Sequence, residues 1–348
     1  MTSLRDLTNN TRSKSAITPK QRYDRVKHCF DTKPSAEVFV NKFGGRTVAI
    51  VGGGPSLGGC LDELRSLVKN SSASIIAINK SHDYLIENGI IPDFCVLLDP
   101  REWVKTYVTP HKDVKYLIAS QVNNAVWEKL EGYDVYTWHA LAHNHGSKVF
   151  RNIDPEKFKK FAKGKKYLSI GGGVTAGLRA WTIACYPYMG FSYIHLFGFD
   201  SSTDDSSNLY AYQKDSSVVI DKQYFRLRLV DPTTDKELPR TYSTNFNMRS
   251  QAANIEQFFG EYAQRVLSGQ FPATSFYFHG HGLVPDWGAL KGCHVDPDHV
   301  DKMRAYIDPH KTVQKERPIF VSDNLDVNNN MIFLDNEPLS MAIESSHY

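Results

Sequence analysis

Short, continuously apolar runs that end in glycine or in a polar residue recur along this chain and restrict its fold more than any other feature. The clearest is "TVAIVGGGPSLGG", in which the run from Thr47 to Val51 stops at three glycines. Leucines at helical spacing follow, and the same order of apolar run, turn and helix recurs downstream. Runs without polar alternation indicate strands that are buried on both faces. The sequence therefore predicts an α/β fold: a Rossmann-like parallel sheet with helices on both faces and a small C-terminal extension.

The length of the chain, 348 residues, suits one large α/β domain. Residues 1–20 are polar and mildly basic, and we predict that they form a mobile tail. The repeated strand and helix patterns predict one Rossmann-like domain over residues 21–290. Residues 291–348 are predicted to hold a C-terminal helix and an irregular tail.

Composition argues against several classes of protein. No apolar run approaches the roughly 20 residues of a membrane helix, and the first twenty residues lack the apolar core of a signal peptide. Five scattered cysteines without a C-x-x-C pair indicate reduced thiols. The net charge is +3, without a dense run of lysine and arginine to mark a nucleic-acid surface. We therefore predict a cytoplasmic protein without a membrane span.

The candidate functional residues follow the predicted strands. In open parallel sheets a ligand lies beyond the carboxyl ends of the strands, at the point where the strand order reverses. Small or polar residues gather at those ends in this sequence, which is why we look for a site there. They are Gly52–Ser56, Asn79, Asp99, Gly171–Thr175, Asp200, His279 and His281.

The first glycine loop has the composition of a phosphate-binding turn. It follows a strand and precedes a helix, where free N–H groups and the helix dipole attract anions and glycine lets them approach. It departs from the G-x-G-x-x-G dinucleotide fingerprint, because Leu57 replaces the last glycine and Asn79 replaces the acidic residue about 20 positions on. A tight turn without a ligand therefore stays open as an alternative.

The second glycine loop, "SIGGGVTAG", repeats the arrangement. It fits G-x-G-x-x-A through Gly171, Gly173 and Ala176, and the next predicted strand ends at Asp200. Two such loops favour a nucleotide site over two empty turns. The residues predicted to bind the nucleotide are Gly52, Gly53, Gly54, Pro55, Ser56, Asn79, Gly171, Gly172, Gly173 and Thr175.

Several of these stretches together resemble a known family. "IVGGGPSL", "AINKSHDYLIENGIIPDFCVLLDP", "GGGVTAGLRAWTIACYPYMGFSYIHLFGFD" and "FYFHGHGLVPDW" are similar to the MptE-like 6-hydroxymethylpterin diphosphokinase family, which includes flagellin-glycosylation accessory proteins. The pattern is also similar to the family 42 sialyltransferases. The resemblance covers roughly residues 46–288, and the set of motifs is more specific than any one of them.

The resemblance implies a domain that binds a nucleotide and transfers a group from it. In the sialyltransferase branch, tyrosines after G-F-D stabilise the leaving phosphate, and "NLYAYQ" places Tyr210 at one of these positions. Ser202 stands at the other tyrosine position, and no histidine lies between His195 and His279 to match the general base of that branch. The polar-loop histidine of the diphosphokinase branch is also missing.

The acids and histidines at strand ends are the candidate catalytic groups. Asp99 and Asp200 could hold Mg²⁺ together with substrate phosphates, bind a ribose or act as a general base. The structural alternative is that each caps a turn. His279 and His281 are candidates for acid–base or phosphate contact, and the "WHALAHNHG" histidines for the acceptor side. The predicted catalytic set is Asp99, Asp200, Tyr210, His279 and His281.

Three functions remain open from sequence. The first is a glycosyltransferase that uses a nucleotide-sugar, needs no cofactor, and acts on a glycan, a protein or a hydroxylated base in nucleic acid. The second is a diphosphokinase that transfers diphosphate from ATP to a hydroxymethyl group with Mg²⁺ on Asp99 and Asp200. The third is a nucleotide-binding module without catalysis, which the missing histidines favour.

Overall fold

The computed structural model describes residues 16–141, 153–173, 175–213, 225–231 and 236–290. Its strands are β1 (Thr47–Val51), β2 (Ser74–Ile78), β3 (Phe94–Leu97), β4 (Lys115–Ala119), β5 (Val135–Ala140), β6 (Ser169–Ile170), β7 (Tyr193–Phe197), β8 (Phe225–Asp231), β9 (Lys236–Thr244) and β10 (Ser275–Phe278). Eight of them form one parallel sheet in the order β10-β7-β1-β2-β3-β4-β5-β6. The other two, β8 and β9, pair as an antiparallel ribbon. The predicted Rossmann-like α/β fold is confirmed.

Helices connect the strands and cover the sheet. They are α1 (Pro19–Thr32), α2 (Leu61–Ser71), α3 (Ser81–Glu87), α4 (Asn124–Lys129), α5 (Ile153–Ala162), α6 (Ala176–Ala184), α7 (Phe246–Leu267) and α8 (Leu283–Leu290). Single turns of 3-10 helix lie at Ala36–Phe39, Pro55–Cys60 and Glu102–Thr106. Among the described residues, no helix combines the length and apolar character needed to cross a bilayer.

Each face of the sheet has its own core, as expected for strands without polar alternation. In β1, Val48 and Ile50 pack into the larger cluster with Trp181 of α6, whereas Ala49 and Val51 pack on the opposite face. The second face is covered by leucines of α2 and α3. Alternate residues of one strand therefore enter two cores, which explains why the run is apolar throughout.

The strand order reverses at β1. From β1 the chain adds β2 to β6 in sequence on one side, then returns to place β7 against the other side of β1, with β10 beyond it. This switch point lies between β1 and β7, and the loops that leave the two strands begin at Gly52 and Gly198. The rule for open sheets places a ligand at this position.

Some boundaries differ from the sequence predictions. The strand predicted over residues 165–170 is limited to Ser169–Ile170, and α6 ends at Ala184, ahead of Pro187, which cannot continue a helix. Helix α8 was not predicted, and α1 begins at Pro19, within the predicted tail. The predicted domain limits stay predictions, because residues 1–15 and 291–348 lie outside the described residues.

Candidate active site

The loops after β1 and β7 cross at hydrogen-bonding distance. The Gly52 amide donates to the carbonyl oxygen of Phe197 at 2.8 Å, and the Gly54 amide donates to that of Gly198 at 2.9 Å. A Cβ on Gly52 would lie 2.6 Å from the Gly198 oxygen, which is closer than real Cβ contacts come. These glycines therefore let two strand ends approach each other, and their amides are already engaged within the protein.

Asp200 holds the same glycine loop in place through hydrogen bonds with Ser56. Its carboxylate accepts the Ser56 amide at 2.7 Å and the Ser56 hydroxyl at 2.6 Å. The side chain is 1% exposed. Its pKa is raised to about 7, chiefly by burial and also by the nearby carboxyl of Asp286, while the two Ser56 hydrogen bonds and Arg240 oppose the rise. Asp200 was predicted to be catalytic, and in the structure it anchors the glycine loop.

A third loop, which follows β10, packs on the first two. A Cβ on Gly280 would meet the Ser56 hydroxyl at 2.2 Å, and one on Gly282 would meet the Asp200 side chain at 2.7 Å. The Gly282 amide also donates to Asp286 at 3.4 Å. Three strand ends, those of β1, β7 and β10, thus close around one buried carboxylate.

Gly53 faces a different group, the tyrosines and lysine on the β2 side of the loop. A Cβ on Gly53 would lie 2.7 Å from the hydroxyl oxygen of Tyr212, and the Ala211 amide donates to the Gly53 carbonyl at 3.1 Å. The ammonium of Lys80, which follows β2, lies 5.3 Å from the centroid of the Tyr212 ring. The Tyr84 ring lies 6.1 Å from the same ring. We call Gly53, Lys80, Tyr84 and Tyr212 the β1–β2 cluster.

Tyr210 extends the β1–β2 cluster outward. Its ring stacks on that of Tyr212 with 5.1 Å between centroids and 7° between planes, and 48% of the residue is exposed. Burial raises the pKa of Tyr212 far above its ordinary value, as do Tyr210 and Tyr107. The Tyr212 hydroxyl therefore keeps its proton at neutral pH and can donate a hydrogen bond. The role of Tyr210 in stabilising a leaving phosphate stays a prediction, and Tyr212 stacks against it.

Asn79 ends β2 in a left-handed conformation, with φ of 52°. Its Oδ1 atom is buried and has no hydrogen-bond partner among the described residues. A buried acceptor without a partner costs free energy, so such groups in native proteins call for an explanation. Asn79 was predicted to hold the nucleoside, and an acceptor atom is available for that role directly beside Lys80.

Asp99 follows β3, and Asp200 follows β7. Strands β1 and β2 lie between β3 and β7 in the sheet. The Asp99 carboxylate accepts the Arg101 amide at 2.9 Å and the guanidinium of the same residue, which is the turn-capping arrangement. Both predicted metal ligands thus spend their oxygens on protein donors. No group of three potential ligands occurs within the described residues. A Mg²⁺ site on Asp99 and Asp200 stays a prediction.

His279 links the sheet to helix α2 and not to the β1–β2 cluster. Its Nδ1 lies 2.7 Å from a carboxylate oxygen of Glu63, and its Nε2 lies 2.9 Å from Nδ1 of His195. The ring also stacks on Phe197, with 4.0 Å between centroids. The residue His281 is exposed overall. Partial burial of its ring and the nearby charge of Arg240 lower its pKa. Their proposed acid–base roles stay predictions.

The second glycine loop starts at the far edge of the sheet. Four strands, β2 to β5, lie between β6 and β1, so Gly171–Gly173 and Gly52–Gly54 do not leave neighbouring strands. The next strand along the chain, β7, pairs with β1 and β10, so Asp200 does not follow a strand that neighbours β6. Thr175 caps α6 by accepting the Leu178 amide.

Helix α6 nevertheless returns to the switch point. A Cβ on Gly177, in its first turn, would lie 3.0 Å from the ring of Phe199, next to Asp200. The start of this helix thus reaches the loop after β7, whereas Gly171 and Gly172 face α7 across a small cleft lined by Phe258 and Tyr262. Nucleotide binding by the second loop stays a prediction.

Sequence reasoning missed two members of the β1–β2 cluster. Lys80 directly follows Asn79 in "AINKSH", and the rule that selected Asn79 as a strand-end residue could also have selected its neighbour. Tyr212 lies two residues after Tyr210, in the same "YAY" motif. Periodicity alone does not show which tyrosine covers Gly53, because that depends on how a distant loop folds back.

The fold and this site define a Rossmann-like α/β protein whose polar strand ends meet at a topological switch point. The sequence profile described as "6-hydroxymethylpterin diphosphokinase MptE-like" matches residues 20–206, more than half of the chain. The chain therefore belongs to the MptE-like family, which confirms the resemblance found in the sequence. Membership supports a transferase-like function.

Solved structures of similar fold include a glycosyltransferase. The MAf glycosyltransferase from Magnetospirillum magneticum AMB-1 is 16% identical to this chain, with a TM-score of 0.47. The match covers 75% of this chain and 37% of that protein, so the chain spans well under half of its length. A search of curated protein sequences finds no match.

Proposed function

We propose that this protein is a nucleotide-dependent group transferase that binds the donor phosphate beside Lys80 and Tyr212, and that its reaction is glycosyl transfer from a nucleotide-sugar. The observation that carries the proposal is the β1–β2 cluster: a lysine and a tyrosine hydroxyl meet where Tyr212 packs against Gly53. The rule for open sheets expects the ligand of such a fold at this edge.

The groups of the cluster suit an anionic leaving group. Lys80 is exposed, so its ammonium can reach a phosphate without first being desolvated. The Tyr212 hydroxyl is protonated and can donate to a phosphate oxygen. Positive charge and donors held in place where negative charge develops are the largest single contribution to many enzymatic rate enhancements. In glycosyl transfer that charge develops on the departing nucleotide phosphate.

The neighbouring residues suit the nucleoside. The buried Oδ1 atom of Asn79 can accept a hydrogen bond from a ribose hydroxyl or a base amine, which would satisfy an atom that now has no partner. The exposed ring of Tyr210 offers a flat surface for stacking. Both lie on the same side of the glycine loop as Lys80.

Donor hydrolysis tests the proposal without knowledge of the acceptor, since water can take the acceptor's place. CMP-, UDP- and GDP-sugars and ATP would each be incubated with the protein, with and without EDTA. We expect one nucleotide-sugar to be hydrolysed in EDTA, and Lys80→Met to lower the rate by about 100-fold. Lys69→Met, an exposed lysine on α2, is the matched control. Equal activity of Lys80→Met and the wild type would contradict the proposal.

Diphosphate transfer from ATP is the second candidate, because the family description names that reaction. It requires Mg²⁺ to bridge the phosphates, whereas the carboxylates of Asp99 and Asp200 accept hydrogen bonds from Arg101 and Ser56 in this structure. Turnover of ATP that EDTA abolishes would select this reaction. A nucleotide that raises the melting temperature but is never turned over would select the non-catalytic module.

A further inference from the structure

A second cavity lies far from the glycine loops, at the edge of the sheet beside β5. Its volume is ≈ 360 Å³, which is the size of a small-ligand pocket. Strands β2, β3 and β4 separate β5 from β1, so the cavity does not belong to the β1–β2 cluster. Its lining comes from the end of α1 and the turn after it, from β5, and from the segment before β6.

The floor of the cavity is polar. Thr137 and His139 point to the same face of β5, and each is 1% exposed. The Thr137 Oγ1 atom is buried without a hydrogen-bond partner of ordinary length. Its neighbour is the thiol of Cys29, whose pKa burial raises to about 12 and Thr137 lowers slightly. Burial lowers the pKa of His139 to about 3, so its ring is neutral and can exchange hydrogen bonds.

One wall is aromatic. The ring of Phe30 stacks on that of His139 with 3.8 Å between centroids and 6° between planes. The ring of Tyr167 meets Phe30 edge-on, with 5.2 Å between centroids. These rings also line the cavity and offer an apolar surface above the polar floor.

The mouth of the cavity is positively charged. Three of the lining residues are lysines, Lys33, Lys165 and Lys166, and Asp31 is the one acid among the described lining residues. Asp31 is paired with Lys163, outside the lining, at 3.2 Å. Lys165 donates to the carbonyl oxygen of Phe30 at 3.2 Å and is thereby held at the rim. The lysine charges are therefore not neutralised by an acid within the cavity.

We propose that this cavity binds a small organic anion, with its apolar body against Phe30 and Tyr167 and its anionic group toward Lys165 and Lys166. A polar atom of the ligand accepts or donates the hydrogen bond that Thr137 lacks. This binding site is independent of the transferase site at the β1–β2 cluster.

Phenyl phosphate, a ring that carries a dianion, is the probe, and calorimetric titration of the full chain is the measurement. We expect phenyl phosphate to bind at least 10-fold more tightly than phenol or inorganic phosphate, because the cavity offers both an apolar wall and positive charge. Thr137→Val keeps the volume and removes the hydroxyl, so affinity should fall about 3- to 10-fold, the value of one hydrogen bond. Lys166→Met should weaken binding to a similar extent.

One control separates this site from other positive charges. Lys160→Met removes an exposed lysine of α5 outside the cavity and should bind phenyl phosphate as the wild type does. Absence of binding, or an equal loss of affinity in Lys160→Met and Lys166→Met, would overturn the proposal. If Thr137→Val does not fold, the affinities of Lys166→Met and Lys160→Met for phenyl phosphate are compared instead, and that comparison decides.

Discussion

Gly52 is a residue whose missing side chain holds two strand ends together. The carbonyl oxygen that a Cβ would meet belongs to the backbone of Gly198, so it cannot swing aside as a side chain could. The same loop contains Gly59, where a Cβ would meet nothing within 4 Å. Gly52 is therefore required for packing, whereas Gly59 is not, and substitutions at the two positions can be compared.

Gly52→Ala should lower the free energy of unfolding by about 1–3 kcal/mol, the usual cost of forcing a methyl group into a packed site. Gly59→Ala should be neutral or slightly stabilising, because the unfolded chain loses freedom. Urea denaturation of the three proteins measures the differences. Equal stability of Gly52→Ala and Gly59→Ala would show that the loop opens without cost.

Asp200 makes stability depend on pH. Burial raises its pKa from 3.8 to about 7, so the folded protein keeps a proton that the unfolded chain releases. The free energy of unfolding should therefore fall as pH rises from about 4 to 7. Asparagine at position 200 cannot titrate. The free energy of unfolding of Asp200→Asn should therefore fall less steeply with pH than that of the wild type, by up to about 1.4 kcal/mol per pH unit.

The comparison needs the exposed Asp205→Asn as a control, measured by denaturation at several pH values between about 4 and 8. Asp286, whose pKa burial raises to about 6, contributes to the slope of the wild type and of both variants. If Asp200→Asn and the wild type lose stability in parallel across the window, the carboxyl group is ionised when folded and the pKa argument fails.

Among the elements, α1 and α5 are joined by a buried ion pair. The guanidinium of Arg22 lies 2.7 Å from a carboxylate oxygen of Asp154, and the side chains are 15% and 3% exposed. Tyr23 donates to the same carboxylate at 2.6 Å. Helix α1 also carries an exposed pair, Lys20 with Asp24 at 2.7 Å, which serves as an internal reference.

Asp154→Asn should lower the free energy of unfolding by about 3 kcal/mol, because Arg22 would keep a largely buried charge without an opposite charge beside it. Asp24→Asn should cost less than about 1 kcal/mol, since solvent already screens the exposed pair. Thermal and urea unfolding of both variants provide the comparison. Similar losses for the two would mean that burial of the inner pair has no effect on its strength.

The sequence predicted most elements but not their neighbours. Strands β1 to β5 and β7 were predictable because each is a continuous apolar run, and the glycine loop after β1 because it interrupts one. The placement of β6 and its loop at the far edge was not predictable, since strand order depends on long-range packing. For the same reason the sequence placed Gly52–Ser56 at the site but did not assign Lys80 and Tyr212 to it.

At the scale of the whole molecule, the parallel sheet and the β8–β9 ribbon should differ in stability. Strands β1, β2 and β7 lie inside the sheet with helices on both faces, whereas β8 and β9 have no other strand partner among the described residues. A two-stranded ribbon is marginally stable on its own. Amide hydrogens of the inner strands should open only in global unfolding, and those of the ribbon in local unfolding.

Hydrogen–deuterium exchange followed by mass spectrometry measures this difference. We expect peptides from β1, β2 and β7 to exchange at least 100-fold more slowly than those from β8 and β9. The protein's other sheet edges, β6 and β10, should exchange at intermediate rates. Equal protection of the ribbon and β1 would show that the two sheets unfold as one unit.

The contact between Gly52 and Gly198 has a consequence for how this protein can evolve. Each residue already has the smallest side chain that exists, so neither can shrink to make room for growth in the other. Gly198 also has φ of 65°, which disfavours every other residue type. A suppressor of Gly52→Ala should therefore never arise at position 198, and a library that randomises both positions should return only the original pair.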